Sequence, residues 1–278
     1  MVSSLFLIFP VISGCFMFRM TSKSAEKYFL ENNVAAELDI YSIGQRTINY
    51  VSIPNPTKPT ILFFHGAPGS WSAFKEFLID TTLVPIAGLV SVDRPGYGYS
   101  DFGMSEPSLS EQSKLLRPLL ERFADTPNIL VGHSLGGPVI AKIAMDFPEL
   151  VDGLILVAPS IDPDLEPEED WFRTPMRSPF ISWMIPTSFL VTNEEIYFLE
   201  EELRKMTEGW QSIKIPVTVI QGGEDMLVHP ANADFAERVL INSEDVDLIL
   251  KEEVNHFIPW NQPELIRSAI IEMIKKKR

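Results

Sequence analysis

The stretch NILVGHSLGGPVIAKIAMDFP, residues 128–148, decides how this chain is read. Residues 128–131 form an apolar run of strand length. Residues 138–147 then place Val139, Ile140, Ile143, Ala144 and Phe147 at helical spacing before Pro148 stops the pattern. Between them, Gly132-His133-Ser134-Leu135-Gly136-Gly137 leaves no room for a loop. A hydroxyl residue flanked by glycines there implies a very tight strand-to-helix turn, since glycine permits approaches that a Cβ would block. The pattern Gly-x-Ser-x-Gly is the nucleophile elbow, which holds a serine Oγ above a sheet and over a helix N-terminus. It acquires meaning only if an acid, a base and an oxyanion site occur where the fold would put them.

Outward from the elbow, short apolar segments rich in Ile, Leu and Val recur at residues 60–64, 88–92, 153–157, 217–221 and 247–250. Such runs are expected of strands covered on both faces. Residues 47–53 alternate and read as an early, partly exposed strand. Residues 22–32 read as a charged helix. Residues 108–123 read as another, with Ser108 and Glu111 at capping-box spacing, and Asn261 and Glu264 bracket the start of the last helix in a similar way. This alternation predicts an α/β fold, a mostly parallel twisted sheet with helices on both faces. Residues 160–214 break it. They open with the acidic run IDPDLEPEED, continue through Trp171, Phe172, Met176, Phe180, Trp183, Met184 and Phe189, and end in a helix-like segment. The aromatics read as the core of a small helical unit, with Trp171, Trp183 and Phe189 expected to face the serine from a lid. An insertion after a strand's C-terminal end lies over the edge where open sheets bind ligands. The division expected is an apolar segment at 1–20, a core at 21–159 and 215–278, and a helical cap at 160–214.

The net charge of −15 disfavours nucleic acid, whose phosphates require a basic face, and leaves a small molecule as the expected partner. Cys15 is the single cysteine, so neither an intramolecular disulfide nor a cysteine-based metal site can form, and neither metal nor cofactor is expected. Residues 1–18 carry no charge and are strongly apolar. Residues 12–15, Ile-Ser-Gly-Cys, resemble a bacterial lipobox and predict export with a lipid anchor on Cys15. Against this, Arg19, Lys23 and Lys27 follow the apolar run and no basic residue precedes it. Cytoplasmic residence is the alternative, and a monomer or small homo-oligomer is expected.

Four histidines are candidates for the base. His65 opens HGAPGSW directly after a strand, His133 sits inside the elbow on the other side of the turn, and His229 follows Asp225 too closely to approach across the site. His256 follows the last strand at its C-terminal end, and the motif's chain order of serine, acid, histidine selects it. The same order favours Asp225, in the glycine turn after residues 217–221, as the acid. Asp162, just past the preceding strand, is the alternative.

The segments HGAPGSW, DRPGYGYS, GHSLGG, GGEDMLV and NHF, in this order, resemble the α/β-hydrolase superfamily from residue 47 to the C-terminus, and in particular its capped, esterase- or lipase-like members with a serine nucleophile. The resemblance implies a cap inserted after the sixth strand and a triad of Ser134, Asp225 and His256. It also implies an oxyanion hole made by the backbone N–H groups of Leu135 and Ala67. Asp93 and Arg94 are expected to support the site without chemistry of their own, paired with each other or with neighbouring loops. The activity implied is hydrolysis of a small, mostly apolar carboxylic ester, thioester, amide or lactone through an acyl-enzyme. Relatives that cleave epoxides or carbon–halogen bonds carry Asp at the elbow, where this chain has Ser134. A carbon–carbon bond hydrolase, an aminopeptidase, or a binding protein that keeps the triad are the alternatives.

Overall fold

The computed structural model describes residues 18–277, so the match at residues 12–15 and the lipidation expected at Cys15 lie outside the described residues. Among the described residues no helix is long and apolar enough to cross a membrane. The first helix among the described residues is α1 (Ser22–Glu31), whose first turn is capped by Thr21 Oγ1 accepting from Ser24 N. Next come β1 (Glu37–Ile43), β2 (Arg46–Ile53), β3 (Thr60–Phe64) and β4 (Gly88–Val92). Helix α2 (Leu109–Arg122) starts at the Ser108 cap that the sequence predicts, with Ser108 Oγ accepting from Glu111 N. Apart from one-turn helices at Lys75–Leu78 and Ile258–Asn261 and short 3-10 turns, the other elements are β5 (Asn128–His133), α3 (Gly136–Asp146), β6 (Gly153–Val157), α4 (Asp170–Met176), α5 (Pro179–Ser182), α6 (Thr187–Met206), β7 (Val217–Gly222), α7 (Asn232–Val239), β8 (Val246–Lys251) and α8 (Pro263–Lys276).

The strands form one eight-stranded sheet in the order β1-β2-β4-β3-β5-β6-β7-β8. All pairings are parallel except β1 with β2 and β2 with β4. Side chains alternate between two apolar layers. Leu62, Phe64, Leu130, Leu154 and Leu156 pack with α2, α3 and α7 on one face. Ile61, Phe63, Val131, Ile155 and Val157 pack with α1 and α8 on the other. Each fully buried Leu, Ile or Phe in these layers contributes roughly 1.5–3 kcal/mol of transfer free energy. The expected mostly parallel sheet with helices on both faces is the architecture found.

Four local readings change. Strand β1 was not expected, and by pairing along β2 it turns that strand, expected to be partly exposed, into an interior one with Ile48 and Tyr50 fully buried. Helix α3 starts two residues before Pro138. A proline is tolerated there because first-turn N–H groups lack an intrahelical acceptor anyway. Helix α8 starts with Pro263 at its first position, while Asn261 ends a short preceding turn and is not the cap. The fourth concerns the aromatics between β6 and β7. Trp171 is 81% exposed, Phe180 88% and Trp183 62%, so these rings lie on the outer surface rather than in a core or over the serine. Helices α4 and α5 are too short to enclose them.

Candidate active site

The elbow is built by close backbone approach. A Cβ on Gly132 would lie 2.4 Å from Gly136 O, and one on Gly136 would lie 2.3 Å from Phe64 O. Only glycine fits either position. The turn leaves Ser134 at φ +54°, a left-handed conformation costly for a residue with a side chain. It is held there by its N–H donating to Val157 O (2.9 Å) and its carbonyl accepting from Gly137 N (2.9 Å). Ser134 thus stands at the end of β5, directly before α3, where the positive end of the helix dipole favours developing negative charge.

The loops after β7 and β8 interlock. A Cβ on Gly222 would lie 2.1 Å from Val254 O and one on Gly223 2.7 Å from Glu252 O, so both glycines are needed for this contact. The packing brings Asp225 Oδ2 to 2.7 Å from His256 Nδ1. Asp225 Oδ1 accepts from Leu227 N (2.9 Å) and Val228 N (2.8 Å). Burial would raise this carboxyl, but the His256 hydrogen bond and the two backbone donors outweigh it and keep the pKa below its ordinary value. An ionised carboxylate only accepts, so Nδ1 carries the proton and Nε2 presents a lone pair. Asp162 is engaged elsewhere, accepting from Asp164 N (3.0 Å) and pairing with Arg238 (3.4 Å).

Ser134, Asp225 and His256 are each buried and line one cavity of about 1070 Å³. No hydrogen bond joins Ser134 Oγ to His256, a contact of the kind that tightens in the complex with substrate. Ala67 and Leu135 line the same cavity, and neither backbone N–H donates to another described residue. Gly66 brings the first loop against the elbow, since a Cβ there would lie 2.9 Å from Ser134 Cβ. Phe189, Ile196 and Leu199 from α6, Arg173 from α4 and Trp260 also line this cavity.

His133, expected on the far side of the turn, instead packs against His256. Its Nε2 lies 3.0 Å from His256 O and the two rings are 4.8 Å apart. Burial, then the neighbouring His256, lowers its pKa to about 3, so it is neutral and Nε2 donates to that carbonyl. Arg94 does not pair with Asp93. It forms a two-pronged ion pair with Glu195 of α6 (Nη1–Oε1 2.7 Å, Nη2–Oε2 3.0 Å). Asp93 accepts from Trp71 N (2.7 Å), Asn49 Nδ2 (2.8 Å) and Tyr99 N (2.8 Å). Glu195 was missed by sequence reasoning. Its signal was an acidic residue on a helix face that otherwise buries Val191 and Leu199.

A family model described as the alpha/beta hydrolase fold matches residues 59–181. The human mitochondrial palmitoyl-protein thioesterase ABHD10 is 28% identical over 209 residues, covering 71% of this chain and 67% of that protein. The AB hydrolase superfamily protein YfhM of Bacillus subtilis is 22% identical over 281 residues, covering 83% of this chain and 95% of the other. Among solved structures, epoxide hydrolase VrEH1 from Vigna radiata superposes with a TM-score of 0.69 at 16% identity, over 87% of this chain and 98% of its own. The thioesterase domain from the curacin biosynthetic pathway does so at 0.65 and 18%, over 86% and 99%. The sheet order, the strained elbow serine and these likenesses agree, and the chain has the α/β-hydrolase fold.

Proposed function

We propose that this chain is a serine hydrolase that cleaves a carboxylic ester or thioester of an apolar acyl group through an acyl-enzyme. The observation that carries the reading is the 2.7 Å contact of Asp225 with His256 Nδ1, in the cavity that Ser134 lines at the head of α3. In this reading Ser134 Oγ attacks the carbonyl carbon while His256 Nε2 takes its proton. Asp225 holds the imidazole tautomer and stabilises the imidazolium. The negative charge on the carbonyl oxygen is met by Leu135 N–H and Ala67 N–H, each contributing on the order of 3 kcal/mol to lowering the barrier. His256 then protonates the departing alcohol or thiol. Water, deprotonated by the same imidazole, releases the acid and regenerates Ser134.

Residues 160–214 are assigned as a helical cap. Phe189, Ile196 and Leu199 offer an apolar wall for the acyl chain, and the thioesterase named among the relatives makes a thioester the first substrate to try. A fluorophosphonate probe tests the reading. Wild type should be labelled on Ser134, Ser134→Ala should not, and short p-nitrophenyl esters and acyl thioesters should be turned over. A folded wild type that neither labels nor hydrolyses any of them would place the chain among binding proteins of this fold.

A further inference from the structure

The geometry points to Arg94, clamped by Glu195 of the inserted helix α6, as the positioning residue for the Ala67 N–H donor. This inference rests on the proposed oxyanion role of that N–H. Arg94 and Glu195 are both buried, with side chains 1% and 4% exposed. Glu195 is further fixed by Tyr97 Oη donating to Oε2 (2.7 Å) and Gln112 Nε2 donating to Oε1 (2.8 Å). Gln112 Oε1 in turn accepts from Arg94 Nη1 (3.0 Å). The guanidinium therefore has a single orientation, and its remaining edge points at the HGAP loop.

There Arg94 Nε donates to His65 O (2.8 Å) and Nη2 to Gly66 O (3.4 Å). The Arg94 backbone N–H donates to His65 Nε2 (3.0 Å), so that nitrogen is an acceptor and the proton sits on Nδ1. Nδ1 then donates to the same Gly66 O at 2.6 Å. Burial and the adjacent Arg94 charge hold the His65 pKa well below its ordinary value, in keeping with this neutral tautomer.

Gly66 O belongs to the peptide group whose N–H is that of Ala67. This peptide is planar and trans, so its C=O and N–H point in opposite directions. Two donors holding the carbonyl on the Arg94 side fix the N–H on the other, toward the cavity that Ala67 shares with Ser134. Charge-assisted hydrogen bonding to the carbonyl also draws electron density from the amide and strengthens its N–H as a donor. The insertion thereby does more than cover the site. One of its side chains sets the angle of a peptide at the reacting centre, from the far side of a buried ion pair.

The test compares wild type, Arg94→Lys and Glu195→Gln. Lysine keeps the charge but cannot hold Glu195 in two-pronged fashion and also reach both carbonyls. Glutamine keeps the shape of Glu195 and removes its charge, so it serves if Arg94→Lys fails to fold; circular dichroism monitors folding of each. Three quantities are measured: kcat and KM on a p-nitrophenyl ester, the pH midpoint of kcat, and affinities for an alkyl trifluoromethyl ketone and the matching unreactive methyl ketone. The trifluoromethyl ketone forms a tetrahedral adduct with the serine and needs the oxyanion donors. Both variants should lose roughly 10- to 100-fold in kcat and in trifluoromethyl ketone affinity, with KM, methyl ketone affinity and the pH midpoint unchanged. Folded variants that bind the trifluoromethyl ketone as wild type does, or that lose affinity equally for both ketones, overturn the positioning role. A wild type that fails to bind the trifluoromethyl ketone overturns the proposed function instead.

Discussion

At the scale of single residues, the site depends on a few side chains held where ordinary preferences would not put them. Ser134 tolerates φ +54° because backbone bonds on both sides and the close passage of β3 leave no alternative. Asp225 is ionised because four donors, His256 Nδ1, Gln221 Nε2 and the backbone N–H groups of Leu227 and Val228, meet its two oxygens. Asp225→Asn should therefore fold while losing about 10⁴-fold in kcat, because the histidine loses the anion that fixes its tautomer. Asp162→Asn should retain wild-type kcat, since that carboxylate caps a turn and pairs with Arg238. Ester turnover of the two purified variants checks both, and an active Asp225→Asn beside an inactive Asp162→Asn would reverse the assignment of the acid.

At the scale of elements, α6 is tied to the core by the Arg94–Glu195 ion pair, by Glu202 accepting from Leu109 N (2.9 Å) and by Leu199, Leu203 and Met206 in the main apolar layer. Two charges taken out of water attract strongly but pay heavily in desolvation, so the pair as a whole adds little net stability. Removing one partner is different. Glu195→Ala would leave Arg94 buried with an uncompensated charge and should destabilise the chain by about 3–5 kcal/mol, read as a lower denaturation midpoint in urea. The outward rings of α4 and α5 behave oppositely. Phe180→Ser removes a side chain that is 88% exposed and should change stability by less than about 0.5 kcal/mol in the same measurement.

At the scale of the whole molecule, stability should depend on pH through Asp93, which ties β2 to the loops after β3 and β4. Burial pushes its carboxyl up to about 6 against the N–H donors that hold it, whereas in the unfolded chain it titrates near ~3.9. Between those values the folded state binds the extra proton. Stability therefore falls as pH rises through that window, by at most about 3 kcal/mol, and the loss is complete above the folded value. The net charge of −15 pushes in the same direction as acidic groups ionise, so the Asp93 contribution is the difference between wild type and Asp93→Asn. Thermal unfolding from pH 4.5 to 8 should show a shallower decline for the variant. Parallel curves would place the wild-type slope on surface charge.

What the sequence by itself determined is whatever local pattern encodes. The apolar runs announced β3 to β7 because strands buried on both faces must be continuously apolar. Gly132 and Gly136 announced the elbow because no other residue tolerates such approaches. Motif order placed Ser134, Asp225 and His256 in strand-end loops, and the fold brings the last two within 2.7 Å. Strand β1 escaped because an edge strand with Leu38 and Ile40 turned outward lacks the clean alternation of a half-buried one. Trp171, Phe180 and Trp183 misled because apolarity in a sequence does not say which side faces inward, whereas Phe189 lines the cavity with Ser134. Only the tertiary structure decided that Arg94 answers to Glu195, 101 residues away, and not to its neighbour Asp93. A buried charge takes the partner that satisfies its geometry at the lowest desolvation cost, and that choice depends on packing among distant segments.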